Sequence, residues 1–133
     1  ILSDRKPDQY KFVVSLGAHR YLSALSYCQT VIGNSSSGII EAPSFRVPTI
    51  NIGDRQEGRV QAASVLNCQA DCKSIYKALN EALSDNFINS LRDVKNPYSQ
   101  EDTVNKMVQE INNFLGAPSK SKKKEFYDIQ FSL

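Results

Sequence analysis

The chain has 133 residues, of which 41% are hydrophobic and 23% are charged, and its formal net charge is +2. This length suits one domain with one hydrophobic core, and this composition excludes an intrinsically disordered chain. The small net charge gives no reason to expect nucleic-acid binding, and no run reaches the ~18 apolar residues of a membrane-spanning helix. The first ten residues, ILSDRKPDQY, lack the basic flank and the apolar core of a signal peptide. They also lack an initiator methionine, so we expect the chain to be a segment of a longer protein.

Hydrophobic periodicity predicts an alternation of strands and helices along the chain. The first half contains, in order, a strand at YKFVVSL (10–16), a helix at HRYLSALSYC (19–28), a strand at TVIGN (30–34) and a helix at SGIIEAPSF (37–45). The second half contains strands at VPTINIG (47–53) and ASVLNC (63–68), then helices at KSIYKALNEALSD (73–85), DNFINSLRDV (85–94) and QEDTVNKMVQEINNFLG (100–116). This order predicts an α/β fold with a doubly wound parallel sheet. Pro43 is expected to shorten or kink its helix.

Three serines and a glycine directly follow the second predicted strand, in IGNSSSGIIEAPSF (32–45). Ligands of parallel α/β sheets bind at the carboxyl ends of strands, where the chain passes into a helix. Hydroxyl groups and helix N–H groups attract phosphate there, and a glycine lets the backbone approach it. Ser35, Ser36, Ser37 and Gly38 are therefore a candidate phosphate site, although serines also cap helices and fill turns. The pattern is neither a Walker loop nor a GxGxxG fingerprint.

Charged residues surround this candidate site. Glu41 is expected in the first turn of the helix after the serines, where its carboxylate suits ribose hydroxyls and suits the helix dipole equally well. The next strand ends in a second turn, INIGDRQEGR (50–59). Its two arginines, Arg55 and Arg59, can each hold a phosphate through paired N–H groups. Two such turns at neighbouring strand ends predict a pocket for a nucleotide or an oligophosphate.

The cysteines predict reduced thiols and no metal site. Cys28, Cys68 and Cys72 are odd in number and follow no export signal, which indicates a cytoplasmic protein. Only His19 is available to join the CxxxC pair, and a structural zinc ion requires four ligands. We therefore predict no metal and no cofactor, and we expect His19 to be a surface residue near a helix start.

Lysines cluster only near the end of the chain, in SKSKKKEFY (119–127). A run of this kind can bind nucleic acid or a membrane, but a solvated tail is the simpler interpretation, so neither partner is predicted. We accordingly predict a domain over residues 1–117 and a lysine-rich tail over 118–133.

The stretch IGNSSSGIIEAPSFRVPTINIGDRQEGR (32–59) resembles the UDP-N-acetylglucosamine 2-epimerase family, particularly its hydrolysing branch, which feeds sialic acid and related nonulosonic acid pathways. The resemblance is dense from Ser15 to Cys68. It implies a glycosyltransferase-B-type architecture, in which two Rossmann-like domains bind a nucleotide sugar between them. This chain would be the C-terminal, UDP-binding domain, without its first strand.

The resemblance also implies roles for individual residues. By position, the serines 35–37 would hold the diphosphate and Glu41 the ribose. Arg55 would contact UDP, with Arg59 as the second choice. Gly38 belongs to the same loop.

Two further positions and one departure follow from the same resemblance. Tyr21 would lie near the uracil, and Leu16, at the end of the preceding strand, would be a backbone neighbour of the base. Arg46 stands where many members of the family have glycine, as a surface variation. The family's acid/base carboxylates and its important histidine precede the matching region, so no catalytic residue is expected in this chain.

The implied reaction removes a proton from the C2 atom of the sugar while UDP leaves C1, and hydrolysing members then add water to release N-acetylmannosamine. We expect this chain to bind UDP or a UDP-N-acetylhexosamine, to lack epimerase activity by itself, and to belong to a homo-oligomer. Three alternatives stay open: the nucleotide-sugar domain of a glycosyltransferase, a non-hydrolysing epimerase, and an interaction module that uses the lysine tail and EFYDIQFSL (125–133).

Overall fold

A computed structural model describes residues 2–116, with side chains from 4 to 116. The chain divides into two compact units, the first ending at Ser99 and the second beginning at Gln100. The described part of the second unit is a short turn followed by a single helix, Thr103–Gly116. The predicted lysine-rich tail (118–133) lies outside the described residues, and its boundary with a domain at residue 117 stays a prediction.

The first unit alternates helices and strands, as the periodicity predicts. Its first half contains α1 (Leu2–Arg5), α2 (Gly17–Leu25), β1 (Val31–Gly33), α3 (Ser37–Ile40) and a 3-10 helix (Ala42–Phe45). Its second half contains β2 (Thr49–Ile52), β3 (Val65–Cys68), α4 (Cys72–Ala82), α5 (Asp85–Ser90) and a second 3-10 helix (Leu91–Asp93). The helix of the second unit is α6 (Thr103–Gly116).

The three strands form one parallel sheet in the order β1-β2-β3, which confirms the predicted α/β class and the parallel sheet. Thr49 pairs with Val31 on one side and with Val65 on the other. Successive side chains of a strand point to opposite faces. Thr49 donates a hydrogen bond from Oγ1 to the carbonyl oxygen of Gly38 in α3, whereas Ile50 packs against α4. Helices therefore cover both faces of the central strand.

The core on the α4 face is small and centred on one residue. Ile50 is fully buried and packs against Ala78 and Ala82 of α4. Asp71 caps that helix by accepting a hydrogen bond from the Ser74 backbone N–H at 2.9 Å. Hydrogen bonds from the side chain and the backbone of Ser74 lower the pKa of Asp71. A charged cap and an apolar face together explain why this helix forms and where it docks.

The chain after the serines forms the short, broken helix that Pro43 predicts. Helix α3 ends at Ile40, and a 3-10 helix continues over Ala42–Phe45 with the proline in its first turn. Arg46 ends this segment with φ of 58°, a left-handed conformation that favours glycine. This conformation explains why glycine suits the position occupied here by Arg46.

The predicted strand YKFVVSL (10–16) is wrong. These residues form neither a helix nor a strand and are all exposed, and the side chain of Val14 is 91% exposed. A strand is defined by its hydrogen bonds to a neighbour, and the described sheet contains only β1, β2 and β3. Leu16 was predicted to end this strand. It is instead the residue that immediately precedes α2.

Candidate functional site

The serine loop connects the carboxyl end of β1 to α3. Ser35 is exposed, and its hydroxyl oxygen accepts a hydrogen bond from the Ser37 backbone N–H at 3.3 Å. The Gly38 N–H donates to the Ser35 carbonyl at 3.3 Å, so two backbone donors of this loop already have partners within it. Ser36, half-buried at the helix N-cap, forms no capping bond with its side chain. The serine hydroxyl groups and the remaining backbone N–H groups of the loop are the donors available to an anion.

The helix after the serines differs from the sequence expectation. Helix α3 has only four residues, so its dipole is weak, and Glu41 lies at its C-terminal end rather than in its first turn. A carboxylate gains nothing from the negative end of a helix dipole. The helix-dipole explanation of Glu41 is therefore wrong, and another partner must account for its charge.

One oxygen atom of Glu41 is available for such a partner. Oε2 is shielded from solvent and has no hydrogen-bond partner among the described residues. The carbonyl oxygen of the preceding residue, Ile40, accepts a hydrogen bond from Asn96 Nδ2 at 2.8 Å, and the same nitrogen lies 2.6 Å from Ser44 Oγ. Asn96 thus holds the backbone carbonyl before Glu41 and the side chain of Ser44 after it. A buried acceptor without a partner suits a hydroxyl donor from a ligand.

Tyr21 of α2 contacts the serine loop directly. Its hydroxyl forms a hydrogen bond with Ser37 Oγ, and the ring is half-buried. This contact brings α2 to the start of α3. Leu16, which the resemblance implies as a neighbour of the base, precedes α2 and is 39% exposed.

The second predicted turn also reaches the serine loop, through Asn34. Arg55 is exposed, and its Nη1 donates to Asn34 Oδ1 at 3.4 Å. Gln56 is buried, and its Nε2 donates to the Asn34 carbonyl oxygen at 2.8 Å. Because Asn34 immediately precedes Ser35, these bonds bring the arginine turn and the serine loop together.

Arg59 lies in a different place. It lines a cavity of about 1080 Å³ beside β3, and none of the predicted loop serines lines that cavity. Three amide side chains form a hydrogen-bonded group there, with Asn51 donating to Asn67 at 2.8 Å and Asn67 donating to Gln61 at 2.8 Å. The structure thus brings Ser37, Tyr21 and Arg55 to one loop and leaves Arg59 apart.

The cysteines are free thiols in the described part of the chain. Burial raises the pKa of the Cys68 thiol, and the nearby Asp71 carboxylate raises it further. Such a thiol stays protonated, so it is a poor nucleophile and a poor metal ligand. Within residues 2–116 there is no group of three or more His, Cys, Asp or Glu residues arranged for a metal ion. His19 is exposed on α2, as predicted.

Every helix within residues 2–116 is too short or too polar to span a lipid bilayer.

Sequence reasoning did not single out Asn34, Gln56 or Asn96. All three are amides that bond to backbone carbonyls or side chains distant in the sequence. A sequence feature could have identified two of them, because Asn34 and Gln56 lie within the two turns that carry the predicted site. Asn96 lies 55 residues after Glu41, and no sequence feature connects it with the site.

Comparison with known proteins gives one family over most of the chain. The sequence model of a family described as UDP-N-acetylglucosamine 2-epimerase matches residues 2–112. The polysialic acid biosynthesis protein P7 of Escherichia coli is 39% identical over 124 residues, which are 93% of this chain and 32% of that protein.

Two further relatives match shorter stretches. A GDP/UDP-N,N'-diacetylbacillosamine 2-epimerase (hydrolyzing) of Campylobacter jejuni is 46% identical over 59 residues, 44% of this chain and 15% of that protein. A UDP-N-acetylglucosamine 2-epimerase of Neisseria meningitidis is 34% identical over 77 residues, 58% of this chain and 20% of that protein. The chain thus spans about a third or less of the length of these relatives.

Proposed function

This chain belongs to the UDP-N-acetylglucosamine 2-epimerase family, and on that premise we propose that it is the UDP-binding part of an epimerase. The parallel sheet with helices on both faces of β2 would be part of a Rossmann-like, doubly wound domain. That domain would be the C-terminal half of a glycosyltransferase-B-type enzyme. The full-length protein would act in the cytoplasm as a homo-oligomer.

The meeting of three elements at one loop carries this proposal. Tyr21 from α2 and Arg55 from the turn after β2 both reach the loop of serines at the end of β1. Hydroxyl groups and a guanidinium group are the donors that recognise phosphate oxygens. Glu41 lies four residues after Ser37 with a buried, unpaired carboxylate oxygen, which supports its assignment to the ribose hydroxyls. We therefore assign the diphosphate to the loop and Arg55, and the uracil to the side of Tyr21 and Leu16.

The proposed chemistry gives this chain one task, stabilisation of the leaving group. A base elsewhere removes the C2 proton of the sugar, the C1–C2 double bond forms, and UDP leaves C1 with the electron pair of the C1–O bond. The hydroxyl groups of the serine loop and the Arg55 guanidinium would stabilise the charge that develops on the diphosphate. Water then adds to the unsaturated sugar in a hydrolysing enzyme. No catalytic base is assigned to this chain.

The hydrolysing outcome has support from names alone. The Campylobacter relative is called hydrolyzing, whereas the name of the Neisseria relative leaves the outcome unstated. A product assay of the full-length protein separates the alternatives. A hydrolysing epimerase releases N-acetylmannosamine and UDP, a non-hydrolysing one returns UDP-N-acetylmannosamine, and a glycosyltransferase modifies an acceptor.

The first prediction concerns UDP binding by the 133-residue chain. UDP is expected to shift the backbone amide signals of residues 35–41 and the Tyr21 signals in a nuclear magnetic resonance titration, because the phosphates and the ribose contact these groups. Uridine, which lacks the diphosphate, is the matched control and is expected to bind at least about tenfold more weakly, since charge-assisted hydrogen bonds are the strong ones. Unchanged signals at residues 35–41 would disprove the site.

The second prediction concerns turnover. The purified 133-residue chain is expected to release no UDP from UDP-N-acetylglucosamine above the uncatalysed rate, because proton removal is assigned to residues outside it. A coupled assay for UDP, with the full-length protein as the positive control, measures this. Turnover by the chain itself would show that the base lies within these residues.

A further inference from the structure

One buried side chain joins the two turns of the proposed site. Gln56 directly follows Arg55, is 4% exposed, and donates from Nε2 to the Asn34 carbonyl oxygen at 2.8 Å. Asn34 directly precedes Ser35. This hydrogen bond therefore links the arginine turn to the start of the serine loop through a buried side chain.

The contact of the arginine itself is the weaker of the two side-chain links between the turn and the loop. Arg55 is exposed, and its bond to Asn34 Oδ1 is long, at 3.4 Å. Exposed contacts of flexible charged side chains contribute little, because ordering the side chain offsets most of their gain. The Gln56 bond is shorter, at 2.8 Å, and its donor side chain is buried. The backbone that carries Arg55 is consequently held by its neighbour.

The orientation of the Gln56 amide follows from its partner. A backbone carbonyl only accepts, so the nitrogen must face Asn34 and the oxygen must point elsewhere. That oxygen, Oε1, is buried and has no hydrogen-bond partner among the described residues. Unpaired buried acceptors are rare in folded proteins, and strain, a bound water molecule or a further partner can account for one.

We propose that Gln56 is a positioning residue of the nucleotide site. It holds the arginine turn against the serine loop, so that Arg55 is already placed for the diphosphate before the ligand arrives. This inference rests on the proposed binding of UDP. Preorganisation of this kind increases affinity because less motion is lost on binding.

The test replaces Gln56 with methionine, which has a similar length and no amide. Gln56→Met is expected to weaken UDP binding by the 133-residue chain about tenfold, since preorganisation is lost. At saturating UDP the Arg55 Nε–H signal is expected to shift less than in the wild type, while the amide signals of residues 35–37 still shift. A residue with a purely structural role would change both sets of signals alike. Gln29→Met, at an exposed glutamine before β1, is the matched control and is expected to bind UDP like the wild type.

The outcomes separate this inference from the proposed function. If UDP leaves every wild-type signal unchanged, both proposals are wrong. If the wild type responds and Gln56→Met binds within about twofold of it with a normal Arg55 shift, the positioning role alone is wrong. If the variant does not fold, the UDP titration of the wild type tests the inference instead. UDP is then expected to shift the side-chain amide signals of Gln56, and unshifted signals contradict the inference.

Discussion

Replacing Gly38 with alanine is expected to lower the free energy of unfolding by about 2 kcal/mol, because the added methyl group has no room. An ideal Cβ at Gly38 would lie 2.5 Å from Thr49 Cγ2 and 3.4 Å from Thr49 Oγ1. Thr49 is 2% exposed in the central strand, and its hydroxyl is bonded to the Gly38 carbonyl, so it cannot turn away without losing that bond. Alanine favours a helix over glycine by about 1 kcal/mol. The steric cost of the added methyl group is expected to be larger than this gain, and the loss of about 2 kcal/mol is the difference between the two. Chemical denaturation of the 133-residue chain measures the change.

A second substitution identifies the clashing atom. Thr49→Ser removes Cγ2 and keeps the hydroxyl that bonds to Gly38. Alone it is expected to cost about 1 kcal/mol, as expected for one buried methyl group. In that background Gly38→Ala is expected to be close to neutral, which gives a coupling free energy of about 2 kcal/mol. Additive effects of the two substitutions would show that α3 does not lie against β2 as described.

The class of the fold was readable from the sequence because it depends on local patterns. The run TINI, between Pro48 and Gly53, has three β-branched residues and indicates a buried strand, and Pro43 was expected to shorten or kink the helix that follows the serines. The segment YKFVVSL (10–16) has a composition typical of a strand, but it does not form one. The composition of a segment allows it to pair as a strand, but the neighbouring strand lies elsewhere in the chain. Local sequence therefore does not show whether such a neighbour exists.

The proximity of the two turns that carry the candidate site could also be predicted from the sequence. Carboxyl ends of neighbouring parallel strands meet at one edge of a sheet, which is why the serine loop and the turn of Arg55 were expected together and are joined through Asn34. The family resemblance ranked Arg55 before Arg59, but the turn itself did not, because side chains four residues apart in a turn can point in different directions. The turn likewise did not single out Gln56, whose importance depends on burial that no spacing predicts.

The choice between the two arginines makes the last prediction. Arg55→Ala is expected to weaken UDP binding about tenfold to a hundredfold, because hydrogen bonds to charged groups contribute about 1.5–3 kcal/mol each. Arg55→Lys keeps the charge and loses the planar fork, so an intermediate loss is expected. Calorimetry or a magnetic resonance titration of the 133-residue chain measures all of these affinities.

Arg59→Ala is the matched control, since it removes the same charge from the same turn at a position that faces the cavity beside β3 instead of the serine loop. Its effect on UDP affinity is expected to stay within about twofold, the size of a screened, long-range charge effect. Equal losses in the two variants would mean that the arginines act only through the net charge of the turn. A larger loss for Arg59→Ala would transfer the diphosphate contact to Arg59 and would require the turn over residues 53–59 to rearrange when UDP binds. The pair of alanine variants thus distinguishes a specific guanidinium–phosphate contact from general electrostatic attraction. Leaving-group stabilisation by this chain depends on the specific contact.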